Sequence, residues 1–188
     1  MTEKTQPSDV SSTPPLDKGL VQVFTGEGRG KTSAALGTVI RALGNGLRVL
    51  IVVFMKAGHP SGEWDVLSKL QNVGIARFGA GPFVNPANVK PQDREEAVKA
   101  LAAARQAMLS GDYDLVVLDE VNVAVAWKLI ELSEVLGLIK EKPTGVELIL
   151  TGRGADKEIV RMADLVTEML NIKHPYEEGT AARRGIEY

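Results

Sequence analysis

Short runs of Val, Ile and Leu alternate along the chain with longer stretches in which apolar residues recur at near-helical spacing. The runs at 20–25, 48–54, 73–78, 115–119, 146–151 and 165–169 are too short for helices and rich in aliphatic residues, so they predict buried strands. Between them, 31–43, 62–70, 92–109, 123–139 and 156–163 predict helices. Gly44, Asn45 and Gly46 supply the stop expected of the first helix. In 92–109, Val98, Leu101, Met108 and Leu109 mark one apolar stripe among alanines and charges, which predicts a helix covering a sheet on one side only. Strands that alternate with helices in this way predict an α/β three-layer sandwich, with a mainly parallel sheet between two helical layers. Ligands in such folds bind at the carboxyl ends of the strands.

The segment 1–19 breaks the pattern. Its large apolar residues are Met1, Val10 and Leu16, set among Pro7, Pro14, Pro15 and many Ser and Thr. So little burial cannot offset the entropy of ordering, and the segment is expected to be a flexible tail ahead of one domain at 20–188. At about 150 residues per domain, 188 residues fit a single core.

Composition removes several kinds of chemistry. The absence of cysteine excludes disulfides, thiolate metal sites and cysteine nucleophiles. The two histidines, His59 and His174, are too distant in sequence for a local metal motif. A net charge of −2 gives no generally basic surface, so no nucleic-acid partner is expected. The longest apolar run, 49–55, falls far short of the roughly 20 residues of a membrane span, and no basic-then-apolar leader opens the chain. A cytoplasmic protein with no membrane partner is the expectation.

The strongest chemical signal follows the first strand. Thr25-Gly26-Glu27-Gly28-Arg29-Gly30-Lys31-Thr32-Ser33 leads directly into a predicted helix. Glycines let backbone N–H groups turn toward phosphate oxygens at the positive end of the helix, Lys31 adds a cation for the terminal phosphates, and the Thr32 hydroxyl suits Mg2+. The order of parts is that of a nucleotide phosphate loop, except that Thr25 stands where the common pattern has its first glycine.

Such a site needs an acidic residue at the end of a second buried strand. Leu115-Val116-Val117-Leu118-Asp119-Glu120 supplies two, and either carboxylate can reach Mg2+, directly or through water. A third strand ends in Thr151-Gly152-Arg153-Gly154, placing Arg153 where it can neutralise a departing phosphate. These residues alone fit a Mg2+-nucleotide enzyme, an ATPase or kinase in which Glu120 acts on water or a hydroxyl, or a nucleotide-dependent binding switch.

Together the pieces resemble the P-loop ATP:corrinoid adenosyltransferases from about residue 19 to 188. The loop is similar to that family's compressed phosphate loop. Val53-Phe54-Met55-Lys56, Gly62-Glu63, Val117-Leu118-Asp119-Glu120, Thr151-Gly152-Arg153-Gly154, Ala163-Asp164, Thr167-Glu168, Lys173-His174-Pro175 and Gly185-Ile186-Glu187-Tyr188 are similar too. The resemblance implies a P-loop NTPase (RecA-like) fold and an unusual use of ATP. Cobalt(I) of a reduced corrinoid attacks the 5′-carbon, and inorganic triphosphate leaves.

By position, Gly26, Glu27, Gly28, Arg29, Gly30, Lys31, Thr32 and Ser33 would wrap the triphosphate. Lys31 and Arg153 would stabilise its growing charge, and Thr32 with Glu120, or alternatively Asp119, would hold Mg2+. The cobalt is the nucleophile, so no protein nucleophile is nominated. The resemblance further implies a homodimer and a flavoprotein reductant. Better-known members carry Phe and Trp after the third strand to strip the lower cobalt ligand. Here that stretch is Gly79-Ala80-Gly81-Pro82-Phe83-Val84-Asn85-Pro86, in which Phe83 matches and no Trp follows.

Other conspicuous residues have plainer readings. Trp64 is expected to be a half-buried packing residue and Phe83 has a core-anchor alternative. His59 is expected to be solvated, His174 to shape the turn before Pro175, and Arg183 and Arg184 to be solvated.

Overall fold

The computed structural model describes residues 16–58, 61–81 and 84–186. Six strands form one parallel sheet: β1 (Val21–Thr25), β2 (Val49–Val53), β3 (Val73–Arg77), β4 (Leu115–Asp119), β5 (Glu147–Thr151) and β6 (Leu165–Glu168). Their order is β3-β2-β4-β5-β1-β6, so β5 lies between the strand that leads into the glycine-rich loop and the strand that ends in the acids.

Side-chain alternation divides the core into two layers. Val49, Ile51, Val53, Leu115, Val117 and Ile149 face one side, where they meet Ala35, Val39 and Ala42 of helix α1 (Lys31–Gly44) and Trp64 and Leu67 of α2 (Gly62–Leu67). Leu50, Val52, Val116, Leu118, Leu148 and Leu150 face the other. They meet α3 (Pro91–Ser110), α4 (Val121–Ala126), α5 (Leu132–Glu141) and α6 (Lys157–Met162). The expected three-layer α/β sandwich is therefore observed.

Four expectations need correction. The helix predicted over 123–139 is two helices. Lys128 adopts a left-handed backbone at φ 55°, while its N–H bonds Val125 O and the Leu129 N–H bonds Ala124 O, which closes α4 with a Schellman turn. A capping box between Glu131 and Glu134 then starts α5. The same closure, with Gly46 at φ 78°, ends α1 as expected from its glycines.

The buried face of α3 is built from Ala97, Ala100, Ala104 and Ala107 with Leu101 and Met108, whereas Val98 and Leu109 are about half exposed. Small side chains allow the helix to lie close to the sheet, so alanine spacing carries the contact. Third, β6 is an exposed edge strand, and among the described residues no further strand pairs with it and its Leu165 and Val166 stay about 40% exposed. Trp64, expected to be half-buried, is buried in the core under α1.

The register sets the strand ends level. Val53 on β2 pairs with Asp119 on β4 and Arg77 on β3, and Phe24 on β1 pairs with Thr151 on β5. The residues that follow these strands therefore emerge side by side on one edge.

Candidate active site: a phosphate loop facing an acid pair

The glycine-rich loop turns tightly because its neighbours leave no room for side chains. A Cβ on Gly26 would lie 2.4 Å from Met169 O, and one on Gly28 would lie 2.5 Å from Leu170 O. Gly26 and Gly30 also hold left-handed backbones, at φ 94° and 115°. The chain after β6 thus braces the loop, and the Gly28 N–H donates to Met169 O at 2.7 Å. Thr25 is accounted for by a contact that glycine could not make. Its hydroxyl accepts from the Ala155 N–H at 3.2 Å, tying the loop to the turn that carries Arg153.

Lys31 begins α1 and is buried. Its ammonium donates to Gly26 O at 2.8 Å and Gly28 O at 2.6 Å. Burial, and then repulsion from Arg153, pull its pKa below the ordinary lysine value, with Glu120 and Glu27 opposing. A bound polyphosphate would supply the missing counter-charge.

Thr32, one residue on, donates to Asp119 Oδ1 at 2.8 Å, joining the loop to β4 across 87 positions of sequence. Asp119 is almost fully buried and accepts a second hydroxyl, that of Thr151, at 2.7 Å. The Thr151 oxygen in turn accepts from the Glu120 N–H at 3.0 Å. Glu120 itself turns off the strand in a left-handed conformation, at φ 66°, and opens α4.

The two carboxylates share a cation. Lys56 Nζ lies 3.0 Å from Glu120 Oε1 and 3.4 Å from Asp119 Oδ2. Burial would lower its pKa, but the two carboxylates outweigh that and hold it above the ordinary lysine value.

Arg153 stands at the mouth, largely exposed, with Nη1 3.5 Å from Glu27 Oε2. It and the loop open on a cleft of about 880 Å³. Apolar side chains also line it: Leu36 and Ile40 of α1, and Met55, Trp64, Val84 and Trp127. His174 also lines it, and its Nδ1 accepts from the Tyr176 N–H, capping the turn at Pro175–Glu178 as the His-Pro pair predicts.

The structure thus brings together every sequence-predicted residue of the loop, both acids and Arg153. Phe83 and His59 lie outside the described residues. Sequence reasoning missed the chemical parts played by Lys56, Thr151 and Thr25, and the place of Trp127 in the cleft wall. Nothing in local spacing marks them, because each acts on a partner from another strand or helix.

The donor set can be tested against Mg2+. Thr32, Asp119 and Glu120 offer a hydroxyl and two carboxylates, the hard oxygens this ion prefers, and an ammonium already occupies their neighbourhood as a stand-in cation. Among the described residues there is no cluster of three His, Cys, Asp or Glu that would form an all-protein cage. The residues fit an ion that arrives with phosphate oxygens and keeps waters.

A parallel sheet, a glycine loop that opens a helix, and an acid pair two strands away define a P-loop nucleotide-binding protein. The fold agrees with that of a KaiC-like protein from Pyrococcus horikoshii OT3, at a TM-score of 0.53 and 16% identity over 81% of this chain and 74% of that one. Residues 17–188 match the family described as ATP:corrinoid adenosyltransferase BtuR/CobO/CobP. Relatives named corrinoid adenosyltransferase occur in Escherichia coli K12, 34% identical over 92% of this chain and 87% of that protein, and in Pseudomonas aeruginosa, 36% identical over 92% and 85%. A Sinorhizobium relative of the same name is 35% identical over 92% of this chain and 81% of its own. The chain belongs to the ATP:corrinoid adenosyltransferase family and is, by that membership, a transferase.

Proposed function

We propose that this enzyme moves the 5′-deoxyadenosyl group of MgATP to the cobalt of a reduced corrinoid and releases inorganic triphosphate. The observation that carries this reading is that the phosphate loop, Glu120 and Arg153 line one cleft together with the apolar side chains of Met55, Val84 and Trp127. The cobalt(I) electron pair forms the Co–C5′ bond as the bond from C5′ to the triphosphate oxygen breaks. The triphosphate keeps that electron pair.

The protein contributes position and charge. Backbone N–H groups between Gly26 and Ser33, except that of Gly28, which donates to Met169 O, surround the phosphates, and Lys31 leaves its two loop carbonyls to meet them. Arg153 leaves Glu27 for the departing triphosphate, where a preorganised cation acts most strongly on the developing charge. Thr32 with Asp119 and Glu120 would hold Mg2+, which when bound supplies further charge neutralisation at the phosphoryl oxygens. Met55, Val84 and Trp127 offer apolar surface in the cleft, which would help to keep water from the reduced cobalt once both substrates are bound. Phe83 belongs to the same proposal as a corrin contact.

The remaining parts of the reading are a domain at 20–188 preceded by a tail at 1–19, a homodimer, a flavoprotein reductant and a cytoplasmic setting. Gly19, the last residue assigned to the tail, is itself packed: its N–H donates to Thr144 O at 2.7 Å and its carbonyl accepts from Lys142 Nζ at 2.8 Å, so the packed chain begins before residue 20. Among the described residues no helix is long and apolar enough to cross a membrane.

The test is an anaerobic assay with ATP and chemically reduced cobalamin. The expected product is a light-sensitive Co–C species whose appearance depends on protein. Orthophosphate release with no such species would favour an ATPase and overturn the proposal.

A further inference from the structure

Two neighbouring strand ends on the cleft edge carry left-handed residues that are not glycine: Met55 after β2, at φ 63°, and Glu120 after β4, at φ 66°. Such conformations are costly and persist where surrounding structure imposes them. Here both turns serve one contact. The turn at Met55 delivers Lys56 beside the acids, and the turn at Glu120 delivers the second carboxylate to Lys56.

The backbone of Lys56 is fixed on both sides. Its N–H donates to Phe78 O at 3.1 Å, and its carbonyl accepts from Arg77 Nη2 at 2.7 Å. Its side chain is about one-third exposed, and its ammonium meets both carboxylates. A fixed root with a charged end that reaches the cleft suits a group that exchanges partners.

We propose that Lys56 is a built-in counter-ion for Asp119 and Glu120 in the nucleotide-free enzyme. It fills the place of the divalent ion, so that metal enters efficiently only together with ATP. The inference rests on the reading of Asp119 and Glu120 as metal acids. Lys56 lies within ion-pair distance of both acids. With it in place, a divalent ion arriving alone must displace an ammonium held by two carboxylates, whereas MgATP brings phosphate oxygens that give the displaced ammonium a new partner. Lys56 is thus a positioning residue for the acids and sets the order in which metal and nucleotide bind.

The test uses the full chain and Mn2+ as the probe, with free Mn2+ counted by electron paramagnetic resonance and no nucleotide present. Lys56→Gln is expected to tighten Mn2+ binding at least ~10-fold, since it removes a unit charge at ion-pair distance from the site of a divalent ion. Lys56→Met, which also lacks the charge, should do the same, while Lys56→Arg should stay weak. Unchanged or weaker Mn2+ binding in both neutral variants would overturn the proposal. Asp119→Asn and Glu120→Gln, measured with ATP present, separate the two levels of the argument. Loss of Mn2+ affinity in either, with no tightening in the Lys56 variants, removes the counter-ion role alone. Full Mn2+ affinity in both Asp119→Asn and Glu120→Gln removes the metal-acid reading and the counter-ion role with it.

Discussion

Replacing Thr151 by Val keeps the shape of the side chain and removes one hydroxyl from the centre of the site. That hydroxyl is fully buried, donates to Asp119 Oδ1 at 2.7 Å and accepts from the Glu120 N–H at 3.0 Å. A hydrogen bond to a charged group contributes about 1.5–3 kcal/mol, and an orphaned buried N–H costs about 1–3 kcal/mol. Asp119 keeps Thr32 and Lys56 as partners, and contributions within one network do not add, so the expected loss of stability is about 2–4 kcal/mol. Thr151→Ser retains the hydroxyl and loses one methyl, for about 1 kcal/mol. Urea unfolding of the two variants beside the parent measures both numbers. The reasoning is refuted if Thr151→Val unfolds within about 0.5 kcal/mol of the parent, or if Thr151→Ser is damaged as much as Thr151→Val.

Four further outcomes are expected. Lys31→Ala should lower turnover by at least ~10²-fold, as loss of a donor at a developing charge does, and near-parental kcat/KM would place the chemistry elsewhere. Because the Lys31 pKa is lowered in the free enzyme and phosphate binds the protonated amine, ATP affinity should weaken as pH rises through that lowered value, with proton uptake on binding; calorimetry in buffers of different ionisation enthalpy reads the uptake. Gly28→Ala would set a Cβ 2.5 Å from Leu170 O, so the loop must shift, and the fold should lose about 1–3 kcal/mol together with ATP affinity. At the opposite end of β4, Arg48 holds the Asp114 carboxyl below its ordinary pKa through hydrogen bonds, including one at 2.8 Å. The stability from that pair is present above the unfolded pKa of Asp and is lost as pH falls through the folded value, and Arg48→Ala should flatten this acid limb of the unfolding curve.

The strands and the phosphate loop were legible in the sequence because their signals are local. Aliphatic runs bounded by turns, and Gly-Lys-Thr at the mouth of a helix, report conformation and chemistry within a few residues. The acids of β4 were legible for the same reason, as an apolar run ending in Asp119-Glu120. The division of labour around them was not. Asp119 is held by Thr32, Thr151 and Lys56, which come from three other places in the chain, and only the sheet order and the level strand ends bring them together.

The break between α4 and α5 was hidden because it depends on a left-handed lysine, where sequence rules look for glycine or asparagine. In α3, alanines that read as filler make the contact, and in β6 an aliphatic run that reads as buried lies at an open edge. Both follow from packing partners that a single segment does not specify.

Phosphorus NMR of a quenched anaerobic turnover with ATP and reduced cobalamin examines the bond that breaks. Intact inorganic triphosphate, in equal amount to the adenosylated corrinoid formed, is the predicted spectrum. ADP with orthophosphate, or AMP with pyrophosphate, would mean that the loop, the acids and Arg153 cleave between phosphoryl groups and do not release the chain at C5′.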